Sequence, residues 1–103
     1  DKLDKRVQES RLARLRGQKS SLLQLALSDE ETSRALQDAL ALLDQTPSKN
    51  SAARRDVLAC AAAAAWKLGR EKEAQDFLRE LERDKAAASL VTQLRKAFTK
   101  KKK

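Results

Sequence analysis

The chain contains no His, no Tyr, no Met and no Ile, and only one Cys, one Pro and two Gly among its 103 residues. Histidine is the commonest general base near neutral pH and the commonest metal ligand, so its absence removes the usual parts of both kinds of site. A single cysteine, Cys60, closes no intrachain disulfide and builds no thiolate zinc site. It sits in Leu58-Ala59-Cys60-Ala61-Ala62 without a cationic neighbour, which reads as a small buried hydrophobe rather than a nucleophile. Gly17 and Gly69 lie too far apart for a glycine-rich phosphate loop. Acidic pairs such as Glu30-Glu31 and Glu80/Glu82 have no context that would place them in a dry cleft and raise their pKa. No apolar run approaches the roughly 18 residues of a membrane span. The longest, Val57 to Trp66, is mostly Ala and lies mid-chain, unlike a leader peptide. The expectation is therefore no enzyme, no cofactor, no metal and no small-molecule substrate. A single thiol is compatible with an intracellular location, cytoplasm or nucleus. A chain without any Met also suggests a processed product or a domain of a longer protein.

What is present is Ala and Leu, 18 and 17 residues, set among 37% charged positions. Three Val and four Thr are the only β-branched residues, so strands are disfavoured and helix is favoured throughout. Five helical segments follow from the spacing of apolar residues. The first runs from about Lys2 into Ser20–Leu27, with Leu12, Leu15, Leu22 and Ala26 as its stripe and Gly17 as a weak point. Ser28-Asp29-Glu30-Glu31 has the capping-box pattern and opens a second helix that ends near Gln45. Its apolar face is Ala35, Leu36, Ala39, Leu40 and Leu43, and the segment Thr46–Ser51 around Pro47 reads as a loop. The third helix, Ala52 to Leu68, carries Val57, Ala61, Ala64 and Leu68, and Gly69 is placed to cap its end. The fourth, Glu71 to Arg83, has Ala74, Phe77, Leu78 and Leu81. The fifth, Ala86 to Thr99, has Leu90, Val91, Leu94, Ala97 and Phe98. Trp66, the largest hydrophobic side chain, is the expected anchor of a helix–helix contact. Short connections imply antiparallel neighbours. The fold class is thus all-α: about five antiparallel helices in a small hairpin array or bundle. Residues 1–99 form one domain whose long first helix has room to protrude, and 100–103 form a basic tail.

The stretch Trp66-Lys67-Leu68-Gly69, followed by Ala74, Phe77, Leu78 and Leu81, resembles the turn and second helix of a tetratricopeptide repeat. In that family an aromatic and a Leu-Gly end the first helix, and a small residue five after the Gly packs between the helices. Ala74 stands at that spacing from Gly69. Ala35 and Pro47, twelve apart, match the small residue and terminal Pro of a preceding repeat. Ala35 and Ala74 are 39 residues apart instead of the family's roughly 34, which requires five extra residues in Thr46–Ser51. Leu58, Ala61, Ala62 and Ala65 replace the family's Trp, Leu, Gly and Tyr, Leu81 replaces a small residue, and Ala86 replaces a Pro. The resemblance covers residues 55–85 and, more thinly, 29–47. It implies stacked helical hairpins acting as a scaffold for a peptide or helix. It brings no ligand-binding residues, because the third helix is mostly Ala.

Charge is the strongest functional signal. The net charge is +8, and its sign alternates along the chain: positive in 1–27, negative in 28–46, positive in 47–70, negative in 71–86 and positive in 87–103. One consequence is attraction between neighbouring helices, although exposed pairs contribute only about 0–1 kcal/mol each. The last segment is different, because Arg95, Lys96, Lys100, Lys101, Lys102 and Lys103 have no carboxylate among them. Such a cluster suits an acidic protein surface, a nuclear-import receptor or nucleic acid. Trp66, Phe77 and Phe98, the only aromatics, all fall on apolar stripes, so any RNA or DNA contact would be non-specific and to phosphate. Arg11, Arg14, Arg16 and Lys19 form a second basic candidate on the first helix. The reading is a non-catalytic protein–protein interaction module for a helix or peptide segment. The alternative is a basic RNA- or DNA-binding domain within a ribonucleoprotein.

Overall fold

Two helix ends set the architecture. In the computed structural model, which describes residues 2–45 and 52–101, helix α1 spans Lys2–Leu23, α2 Asp29–Gln45, α3 Ala52–Lys67, α4 Glu71–Glu82 and α5 Ala88–Lys101. The α1 end is closed by Ala26 N–H donating to Ser21 O at 2.9 Å and Leu25 N–H to Leu22 O at 3.0 Å. The α3 end is closed identically, by Arg70 N–H to Ala65 O at 2.9 Å and Gly69 N–H to Trp66 O at 3.1 Å. This paired closure needs a left-handed residue after the helix. Gly69 supplies it at φ 86°, whereas at the α1 end Leu25 is forced to φ 57°. A non-glycine residue there is strained. The Leu25 carbonyl accepts from Lys67 Nζ at 3.1 Å, which ties one helix end to the other.

That tie, together with Cys60 Sγ lying 3.9 Å from Leu15 O, fixes α1 and α3 as parallel neighbours. α2 folds back on α1, and α4 folds back on α3. α5 returns parallel to α3, bringing Phe98 onto Trp66 with ring centroids 4.3 Å apart and 16° between the planes. α3 thereby touches α1, α2, α4 and α5. All of Val57 to Trp66 is buried, so the stripe expected on α3 is instead a helix enclosed on every side. Its alanines allow this, because small side chains let neighbouring backbones approach closely. A radius of gyration of 12.8 Å is that of one folded unit of about 100 residues. The described residues contain no strand.

Several sequence expectations need correction. Leu40 on α2 is 42% exposed, and Leu42 takes its place in the core. Leu42 lies on the α1 side of the stripe, and burial reaches it because α1 packs there. Ala26 is exposed beyond the end of α1. The fifth helix is preceded by a 3-10 turn, Lys85–Ala87, capped by Asp84 accepting from Ala86 N–H at 3.0 Å. α5 then continues to Lys101 instead of stopping at Thr99. The basic tail accordingly begins as helix. Ser28 caps α2 through Glu31 N–H at 3.2 Å, while the Glu31 carboxylate meets the Ser28 hydroxyl rather than its backbone. The loop expected at 46–51 and residues 102–103 lie outside the described residues, as do the side chains of Lys100 and Lys101. Arg6, Val7, Glu9 and Ser10 on the first turns of α1 are exposed.

The turn geometry also sets which residues of the two hairpins correspond. Thr32 N–H donates to Ser28 O just as Ala74 N–H donates to Arg70 O. Thr32 is therefore the equivalent of Ala74, 42 residues earlier, where sequence spacing alone had aligned Ala35. Thr32 is fully buried, and its hydroxyl donates to Ser28 O at 2.6 Å, so it serves as a small apolar residue.

Candidate interaction surface

The basic candidates on α1 are paired with carboxylates of α2 and α3 at the surface. Arg11 and Arg14 reach Asp38 of α2 at 3.8 and 3.4 Å. Arg16 and Lys19 both reach Asp56 of α3, at 3.0 and 2.8 Å. Arg54–Glu80 at 2.7 Å joins α3 to α4, and Arg55–Asp84 at 3.1 Å joins α3 to the cap of the 3-10 turn that follows. The alternating charge of the segments is expressed in the α1–α2 and α3–α4 pairs, whereas Asp56 is a lone acid within a basic segment. The four α1 cations are split between two acceptors and are not gathered into one patch.

The α5 candidates are arranged differently. Arg95 pairs with Glu82 of α4, a carboxylate thirteen residues earlier that folding brings alongside. Lys96 is exposed, with no carboxylate partner among the described residues. Both line a shallow groove of about 460 Å³ with Thr92 and Thr99. A second groove, about 660 Å³, runs down the α4 side of α5 past Glu82, Lys85 and Val91, and shares Thr92 and Arg95 with the first. Sequence reading missed the two threonines. Thr92 donates to Ala88 O at 3.1 Å and Thr99 to Arg95 O at 2.8 Å. Each hydroxyl is satisfied within its own helix turn, which leaves the methyl groups to form the groove wall. The aliphatic stems of Arg95 and Lys96 complete an apolar floor with charged ends. The signal was present as two threonines seven apart on a helix with no acidic residue, which is one face.

Trp66 is buried against Phe98 in the interior, so it acts as an internal packing anchor and presents no surface to a partner. Cys60 is buried as well. Burial, then the nearby Asp56 charge, pushes its thiol up from 9.0 to about 12, against a smaller opposing effect of Lys19. A neutral, enclosed thiol is a poor nucleophile. Among the described residues no group of three or more His, Cys, Asp or Glu could hold a metal ion. No described helix is long and apolar enough to cross a membrane. Comparison of the chain with protein-family models, with curated proteins and with solved structures finds no match.

Proposed function

We propose that this chain is a non-catalytic helical interaction module that holds another protein's helix or peptide segment. The observation that carries this reading is the groove along the exposed side of α5, apolar in its walls and cationic at its rim. Specific protein contacts combine an apolar centre with a charged edge in this way. The stacking of α1–α2 on α3–α4 accords with the scaffold role that the tetratricopeptide resemblance implies. The single free thiol is compatible with a reducing compartment, cytoplasm or nucleus.

A second reading, phosphate contact with RNA or DNA, is favoured by Lys96 and by the absence of any acid from Ala88 to Lys103. One pair of measurements separates the two. A stoichiometric protein partner retained in high salt supports the interaction module. Binding to unrelated oligonucleotides with equal affinity, falling with salt at about 0.7 to 0.9 per phosphate contact, supports the second. Replacing Lys100–Lys103 by Gln tests the tail without shortening α5, which truncation after Thr99 would do.

A further inference from the structure

We propose that the outer face of α5 seats an acidic amphipathic helix of a partner protein, antiparallel to α5; this rests on the interaction-module reading above. Three independent features converge on it.

The first is the order of helices. Each odd-numbered helix before α5 has an antiparallel mate, α2 on α1 and α4 on α3. Going round α3, Cys60 faces Leu15 of α1, Arg54 faces Glu80 of α4 and Trp66 faces Phe98 of α5, while α2 also packs on α3. Going round α5, Phe98 faces α3 and Arg95 faces α4. The next position is the face of Thr92, Lys96 and Thr99, and no described helix occupies it.

The second is charge. Both existing hairpins join a basic odd helix to an acidic even one, through Arg11 and Arg14 on Asp38 and through Arg54 on Glu80. α5 has no acidic residue, and beside the groove it carries Lys96, without a carboxylate partner among the described residues, next to Arg95, which Glu82 holds. The complement of such a rim is a helix with carboxylates along its edges. The third is the chemistry of the floor. The hydroxyls of Thr92 and Thr99 are satisfied by their own helix, so the surface asks for methyl and methylene groups from its occupant.

The test uses the full chain and two labelled synthetic helices of about 18 residues, each with Leu along one stripe and either Glu or Lys on its flanks, followed by fluorescence anisotropy. The Glu helix binds saturably and the Lys helix does not. Lys96→Glu weakens the Glu helix about tenfold or more. Thr92→Lys is the decisive variant, because it fills the groove while adding positive charge. It lowers affinity for the Glu helix about fivefold or more but leaves binding to a thymidine oligonucleotide equal or stronger. Both positions are exposed, so unchanged melting shows that the fold is kept.

Equal binding of both helices, or a Glu helix that binds Thr92→Lys as tightly as the parent, overturns the proposal. So does binding of neither helix at millimolar concentration. Amide shifts centred away from residues 88–101 overturn the α5 seat while leaving the interaction module standing. Preference for the oligonucleotide over the Glu helix, weakened by Lys96→Glu alone, overturns both readings together in favour of phosphate contact.

Discussion

Gly17 and Gly69 show how one residue type takes opposite signs from its backbone. Gly17 lies within α1 with open space where a Cβ would stand, so Gly17→Ala gains helix propensity and raises stability by about 0.5–1 kcal/mol. Gly69 also has room for a Cβ, but its φ of 86° is strained for any side chain. Gly69→Ala therefore lowers stability by about 1–2 kcal/mol. Urea unfolding of the two variants should move the midpoint in opposite directions. Cys60 makes a pH-dependent contribution. Its folded pKa of about 12 exceeds the ordinary 9.0, so the unfolded chain loses this proton first. The contribution is complete below pH 9 and declines as pH rises toward 12, at no more than about 1.4 kcal/mol per pH unit. A Cys60→Ala variant should show a shallower loss of stability over that window. The native thiol should also resist alkylation at pH 8 until the chain is unfolded.

At the scale of elements, α2 gives the sharpest contrast. Leu42→Ala removes a buried side chain and should cost about 2–5 kcal/mol. Leu40→Ala, two positions away and exposed, should shift the midpoint by less than about 0.5 kcal/mol. Helix spacing on its own could not separate the two, because both flank the Ala35–Leu36–Ala39 stripe. The choice depends on which side α1 occupies. Where a helix has one buried face, as α4 has with Ala74, Leu78 and Leu81, periodicity located it directly. The limits of α3 were equally legible, since Gly69 ends it by backbone chemistry. Its surroundings were not, because a run of alanine has no face, and periodicity is informative only when apolar and polar positions differ. The candidate site divided in the same manner. Arg95 and Lys96 were visible as charge, but the carboxylate facing Arg95 and the satisfied hydroxyls of Thr92 and Thr99 depend on folded neighbours. Ala63, fully buried on α3, provides the test of enclosure: Ala63→Leu should destabilise by about 1–3 kcal/mol despite adding hydrophobic surface.

For the molecule as a whole, the ion pairs and the core distribute differently. The pairs join neighbouring helices at their edges, α1 to α2, α1 to α3, α3 to α4 and α4 to α5, and each is partly solvated. Their role is to favour this arrangement over others, more than to supply stability. The core is common property, because every other α-helix buries its apolar side against α3. No hairpin can therefore keep its own interior when the rest has opened. Opening of α1–α2 bares one flank of α3, and opening of α4–α5 bares the other. The backbone amides of Val57 to Trp66 should accordingly exchange hydrogen for deuterium only through complete unfolding, all with one protection value equal to the global stability. Amides in the first turns of α1, where Arg6, Val7, Glu9 and Ser10 are exposed, should exchange by local fraying at much faster rates. A chain composed of short, locally signalled helices would then melt as one cooperative unit, because the helix that all the others share stands at its centre.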